Sequence, residues 1–300
     1  MDGAVEMRGT PWSLLISWMR GWLPRCGRGS RRVRLSSLIL VVWPAWACSP
    51  EPLRRDVCAV IGSGIVNGTP CDALKGPVVE VTAMFEGRAR EQRQACTGTL
   101  ISDRFILTAA HCFDPPGSTT ANRVEVVIEG QRLTSSWFVS HPDATFQRVP
   151  ELGVDQAVGI NDIALIRLDT PVSTKPLAIG GTSGVMPGDA LTVAGFGFDE
   201  NGKRGALKAG QLRVARVLTG QLVSAVDPSG ATTCFGDSGG PAIADLMGVP
   251  TVVGVASSAV AFSELESGAE CRDLAAVFIN LGSAPVARFI EGVLANNRAP

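Results

Sequence analysis

From Ile65 onward the chain alternates short apolar runs with turn residues. The runs fall at 78–81, 100–101, 105–107, 124–128 and 163–166, and resume after Pro171 and Pro176 at 190–194, 212–217 and 252–255. Many short strands punctuated by Gly and Pro predict an all-β barrel or sandwich, here in two similar halves. Only the C-terminus has a helical period. Ser283 is placed to cap it, Pro285 falls in its first turn, and Val286, Phe289, Ile290, Val293 and Leu294 follow an i, i+3, i+4, i+7, i+8 stripe.

Ahead of this body, Arg25, Arg28, Arg31, Arg32 and Arg34 stand directly before the apolar run 35–43. A charged region, a short apolar run and then small residues read as a secretory signal. A nucleic-acid tail would not need the apolar run, which is also shorter than the roughly 20 residues of a membrane span. Two exits from the signal fit. Ala45-Trp46-Ala47 has the small-x-small form of ordinary cleavage, whereas Cys48 resembles the lipid-acceptor cysteine of a bacterial lipoprotein, which would tether the chain to a membrane. The leader is long, so Met7 and Met19 are alternative starts. The chain thus divides into a leader (1–47), a prosegment (48–64) ending in Gly62-Ser63-Gly64, and a body (65–300).

Composition narrows the class. With 45% hydrophobic residues, 18% charged and a net charge of -1, the chain is globular and lacks the basic excess of a nucleic-acid binder. Of eight cysteines, Cys26 and Cys48 belong to the leader and its edge. Cys58, Cys71, Cys96, Cys112, Cys234 and Cys271 remain, an even set suited to bridges in an oxidising compartment. There is no C-x-x-C pair and there are two histidines, so zinc, thioredoxin-like and histidine-rich metal sites have no support. No calcium loop or cofactor motif is recognisable.

Chemistry concentrates in three segments. "TTCFGDSGGP" (232–241) crowds three glycines and a proline around Asp237 and Ser238, either as a surface turn or as a loop whose N–H groups converge beside a reactive hydroxyl. "LTAAHC" (107–112) sets His111 beside a cysteine, and "NDIALIRL" (161–168) opens an apolar strand with Asp162. A serine hydroxyl hardly ionises at neutral pH, so it needs a base whose pKa lies near neutrality, and histidine supplies one.

Together the three segments resemble the trypsin/chymotrypsin family of serine proteases, in that family's chain order His, Asp, Ser, over about residues 65–294. The resemblance implies two six-stranded antiparallel β-barrels, at about 65–175 and 176–282, closed by a helix at about 283–296. It implies that Ser238 is the nucleophile, His111 the general base and then acid, and Asp162 the group that holds the imidazole. The N–H groups of Gly236 and Ser238 would form the oxyanion hole, where a side chain at Gly236 would crowd the substrate carbonyl. Asp237 would pair with an α-amino group released at Ile65, because "IVNG" resembles the family's Ile-Val-Gly-Gly start. The residue before that cut is Gly64 rather than Arg or Lys, which leaves the activating protease unnamed.

By the same comparison, Cys96 pairs with Cys112 and Cys234 with Cys271; arithmetic leaves Cys58 with Cys71. Ser257 resembles the serine that bonds the triad aspartate and begins the strand that receives substrate backbone. Thr232, six residues before the nucleophile, takes the base of the specificity pocket, with Ala259 and Ala276 as its walls. An uncharged base and methyl-lined walls predict cleavage after small to medium aliphatic residues. His141 reads as a surface-loop residue. The implied function is a secreted, bacterial-type serine endopeptidase made as a zymogen and acting on polypeptides, without cofactor, metal or nucleic-acid partner. A catalytically silent binding protein on the same scaffold is the competing reading.

Overall fold

The computed structural model describes residues 69–70, 76–86, 92–115, 120–199, 201–226, 232–262 and 271–296. All lie in the unit Glu51–Pro300. The leader, the prosegment, Ile65 and the Cys58–Cys71 pair fall outside the described residues.

The first half supplies β1 (Thr69–Pro70), β2 (Val78–Phe85), β3 (Gln92–Leu100), β4 (Phe105–Thr108), β5 (Arg123–Ile128), β6 (Gln131–Ser135), β7 (Phe138–Ser140), β8 (Thr145–Arg148), β9 (Ala157–Ile160) and β10 (Ala164–Arg167). Seven of these form one sheet in the order β6-β5-β2-β3-β4-β10-β7, and β8 and β9 form a separate hairpin. The sheet stays open between β6 and β7, giving a half-barrel with seven strands where six were expected. The extra strand arises at a corner. The Ser135 hydroxyl accepts the Trp137 N–H at 3.0 Å and donates to Arg167 O at 2.8 Å, so the chain bends after β6 and continues as the short β7.

The second half supplies β11 (Ala178–Ile179), β12 (Ala190–Gly195), β13 (Lys208–Val217), β14 (Gln221–Ser224), β15 (Pro241–Leu246), β16 (Val249–Val260) and β17 (Ala275–Asn280), then the helix α1 (Ala284–Asn296). Strands β13-β12-β15-β16-β17-β14 close on themselves through the β13–β14 pairing, which is the expected six-stranded barrel. β1 pairs with the Lys208–Ala209 end of β13, away from the stretch that meets β14, and β11 pairs in parallel with β16.

Alternation places the apolar residues. In β5 the pattern Val124, Val126, Ile128 is buried while the residues between are not, as a half-buried strand requires. β17 is buried at all six positions because one face fills the barrel with Ala276 and Phe278, while Ala275 and Val277 pack beneath Leu152 and Val158. α1 buries Val286 and Ile290 in the same cluster as Ile106, Leu107 and Leu165 of the half-barrel.

Two local expectations change. Ser283 lies at the start of α1, but its side-chain oxygen is buried without a partner; its backbone carbonyl accepts the Ala287 N–H instead. His141 is buried, not a surface residue. Its Nδ1 accepts the Asp143 N–H at 3.1 Å, and its ring lies 5.0 Å from that of Phe289 on α1. Among the described residues no helix is long and apolar enough to cross a membrane.

Docking of α1 is therefore expected to carry a large share of stability. Ile290→Ala, which empties a site 2% exposed, should cost about 2–5 kcal/mol in urea unfolding, whereas an exchange of the exposed Glu291 should change the midpoint little.

Candidate active site

Strand register brings the first two segments together. β4 and β10 pair antiparallel with Ala164 opposite Thr108. Asp162 precedes β10 by two residues, and His111 follows β4 in a short 3-10 turn (Ala110–Cys112), so both emerge at one end of the pair. Asn161 holds the bend before Asp162 with φ 50°, a left-handed conformation that Asn tolerates better than most residues.

Asp162 is 1% exposed and meets three donors. Its Oδ1 accepts the His111 backbone N–H at 2.8 Å. Its Oδ2 lies 2.7 Å from His111 Nδ1 and accepts the Ser257 hydroxyl at 2.6 Å. Burial alone would push this carboxyl up, but the hydrogen bond and charge of His111, followed by the Ser257 hydroxyl, outweigh it and hold the group below its ordinary value. A bulge aims Ser257. The β16–β17 register shifts between Ala256 and Ser258, and the residue at the shift turns toward the carboxylate. Gly159 on β9 makes the room: a Cβ there would stand 2.0 Å from Ser257 Oγ.

Ser238 lies in the loop between β14 and β15, partly exposed. It lines, with His111, a cleft of about 630 Å³ whose lining also includes Phe146, Phe235, Gly236, Ser257, Ala259 and Leu274. Among the described residues no hydrogen bond joins Ser238 to His111; such bonds tighten as substrate binds. In the loop, the Asp237 N–H is tied to Cys234 O at 3.0 Å. The N–H groups of Gly236 and Ser238, on either side of it, have no acceptor among the described residues. Gly236 has φ 98°, and a Cβ there would lie 2.9 Å from Gly197 Cα, so a side chain would meet the protein's own backbone. The bridges Cys96–Cys112 and Cys234–Cys271 flank the cleft.

A trypsin family model matches residues 65–272. The chain belongs to the trypsin family of serine proteases. It is 27% identical over 269 residues to CLIP domain-containing serine protease B14 of Anopheles gambiae, covering 71% of this chain and 70% of that one. It is 30% identical over 205 residues to a trypsin of Saccharopolyspora erythraea, covering 62% of this chain and 85% of the relative. A solved structure of HL collagenase superposes with a TM-score of 0.57 at 21% identity, covering 79% of this chain and all of that one, which shows the shared fold.

In this trypsin-family chain the expected specificity residues divide. Ser257 and Ala259 line the cleft, joined there by Leu274, whereas Thr232 and Ala276 are buried and lie outside its lining. The Thr232 hydroxyl donates to Leu274 O at 3.1 Å, and Ala276 stands opposite Ala259 in the β16–β17 ladder. Leu274 escaped the sequence reading, which placed the walls by motif spacing at Ala259 and Ala276. Among the described residues, the Lys, Arg, Asp or Glu side chains that line the cleft are Arg93 and Arg204.

Asp237 is also buried, 1% exposed, its carboxylate accepting the N–H of Gly197 at 2.9 Å and of Cys234 at 2.8 Å. Gly195 and Gly197 leave its space, since a Cβ at either would stand 2.1 Å and 2.6 Å from that carboxyl group. The string Gly195-Phe196-Gly197, two glycines at the end of an apolar strand, was the available signal for a close approach. Burial pushes the Asp237 carboxyl up to about 6, although the two N–H groups and the charge of Lys208 pull it down.

The folded chain thus holds this proton more tightly than an unfolded carboxyl with its ordinary value of 3.8. The resulting stabilisation is complete below about pH 4 and is lost as pH rises through about 6, on the order of 3 kcal/mol in all. In full-length chain kept intact by Ser238→Ala, the stability difference between Asp237 and its Asn variant should shift in favour of Asn across that window. A difference independent of pH would contradict the burial.

Proposed function

We propose that the protein is a secreted serine endopeptidase that cleaves polypeptides through an acyl-enzyme at Ser238. The observation that carries this reading is the Asp162 carboxylate, which holds the His111 ring, the His111 backbone and Ser257 at once, beside the cleft that Ser238 lines.

With Nδ1–H donated to Asp162, neutral His111 keeps Nε2 unprotonated and able to accept a proton. As the Ser238 oxygen attacks the substrate carbonyl carbon, its proton passes to His111, and the new oxyanion takes the free N–H groups of Gly236 and Ser238. Collapse breaks the carbon–nitrogen bond, and His111 returns the proton to the leaving amine. Water, deprotonated by His111, then releases the acid and restores Ser238. Asp162 stays ionised throughout and stabilises the imidazolium.

The same reading assigns Asp237 to activation. A buried carboxylate held by two N–H groups remains costly, and a cation brought to it would relieve that cost. The α-amino group of Ile65, released by a cut after Gly64, is that cation. Export through the leader at 1–47 supplies the oxidising compartment that the Cys96–Cys112 and Cys234–Cys271 bridges need, with Cys48 as the alternative lipid anchor. Cleavage after small to medium aliphatic residues fits a cleft walled by Ala259 and Leu274, with no acidic residue in its described lining. A substrate Arg or Lys would bury its charge unpaired there, and it would meet Arg93 and Arg204 at the cleft.

Ser238→Ala should abolish cleavage of a fluorogenic peptide library, by about 10⁶-fold in kcat as in an unrelated protease fold, while its melting temperature stays near that of wild type. Asp162→Asn should lose about 10⁴-fold, as the same exchange costs related serine proteases. Wild-type rates in either variant would sink the assignment. Mass spectrometry of active enzyme should find a chain that starts at Ile65, and the library should show Ala, Val, Thr or Leu before the cut. Full activity in a chain uncut at Gly64-Ile65, or a preference for Arg or Lys, would refute those two parts separately.

A further inference from the structure

The loop around Ser238 is gripped from the other sheet by one side chain. Thr97 stands in β3, fully buried, opposite Glu80 of β2 in register. Its hydroxyl donates to Gly236 O at 2.9 Å and accepts the Phe196 N–H at 3.0 Å. A carbonyl can only accept and an N–H can only donate, so the single hydroxyl proton must lie on the Gly236 side. The Thr97 backbone N–H, in turn, donates to Ser238 O at 2.8 Å. Thr97 itself is fixed, because its carbonyl accepts the Thr108 hydroxyl at 2.7 Å.

These contacts select two residues out of the loop. Thr97 holds the carbonyls of Gly236 and Ser238, and the N–H groups of these two residues have no acceptor among the described residues. Gly236 has no Cβ to restrict it, so nothing intrinsic to that residue keeps it at φ 98°. A glycine released there can reorient its flanking peptides, and the N–H groups would then no longer converge.

We propose that Thr97 is a positioning residue of the oxyanion hole: its hydroxyl and N–H pin the Gly236 and Ser238 carbonyls so that both N–H groups stay available to a developing oxyanion. The assignment rests on the reading of Ser238 given above. Thr97 touches no substrate and acts through the loop. Because the hydroxyl also bonds Phe196, which stands between the two glycines that make room for Asp237, the pin links the oxyanion loop to the wall of the Asp237 site.

The test compares wild type with Thr97→Val, which keeps the shape and removes the hydroxyl, and Thr97→Ser, which keeps the hydroxyl. Readouts are kcat and KM on one peptide, the rate of Ser238 labelling by a fluorophosphonate, and the inhibition constant of a peptide aldehyde, whose adduct carries an oxyanion. Thr97→Val is expected to lose about 10- to 100-fold in kcat and in labelling rate with KM within a fewfold. The aldehyde should weaken by the same factor, and Thr97→Ser should stay near wild type. A general loss of structure would move KM and the melting curve together and would not follow the aldehyde. Should Thr97→Val fail to fold, Thr97→Ala is read by the same ratio of aldehyde to substrate. Wild-type kcat in the folded variant lacking the hydroxyl, or equal losses in Thr97→Ser, overturns the assignment while leaving the protease reading intact. Wild-type enzyme that resists the label overturns both.

Discussion

A single buried carboxylate organises the site. Asp162 sits where water cannot solvate it, and an ion in that position is tolerated only when its lone pairs are matched by donors. Three donors converge, from the His111 ring, the His111 backbone and Ser257. They come from both halves of the chain, since His111 follows a strand of the half-barrel and Ser257 lies in the closed barrel. The geometry of the site and the packing of the two halves are therefore one constraint: either half, displaced, leaves an ion short of partners.

A second buried carboxylate lies beside Ser238, and the contrast between the two is instructive. Asp162 has a histidine and a hydroxyl and falls below its ordinary pKa; Asp237 has two backbone N–H groups and rises to about 6. Burial is similar, so partner chemistry decides the direction. The loop between them keeps Gly236 and Ser238 open on the cleft side while Thr97 satisfies their carbonyls behind. Satisfied on one side and open on the other, such a loop can meet a developing charge without rearranging.

Much of this was legible in the sequence because the site's residues lie in three short local segments. The three segments around His111, Asp162 and Ser238 resembled a family, and the paired strands brought the first two to one end of the half-barrel. α1 followed from a helical stripe; the apolar runs left barrel or sandwich open, and the resemblance implied the closed barrel. What was not legible is what depends on contacts far apart in sequence. β6 and β8 are mostly exposed and polar, so no alternation marked them. The roles of Gly159, Gly195 and Gly197 come from side chains that arrive from elsewhere, and Thr97 reads as an ordinary strand residue until Gly236 is placed beside it. His141 looked exposed because a His-Pro-Asp string is typical of turns; the helix that covers its ring lies more than a hundred residues later. Leu274 reached the cleft for the same reason.

The central claim is that Asp162 fixes the tautomer of His111, and proton NMR of protein labelled with ¹⁵N-histidine tests it most directly. The chain has two histidines, and the Nδ1 of His141 accepts a backbone N–H, so that atom carries no proton in the neutral ring. At neutral to alkaline pH one Nδ1 proton is therefore expected, on His111, shifted far downfield by the short contact to Asp162 and absent in Asp162→Ala. A folded wild-type protein without that resonance, or a resonance that survives in Asp162→Ala, would contradict the account.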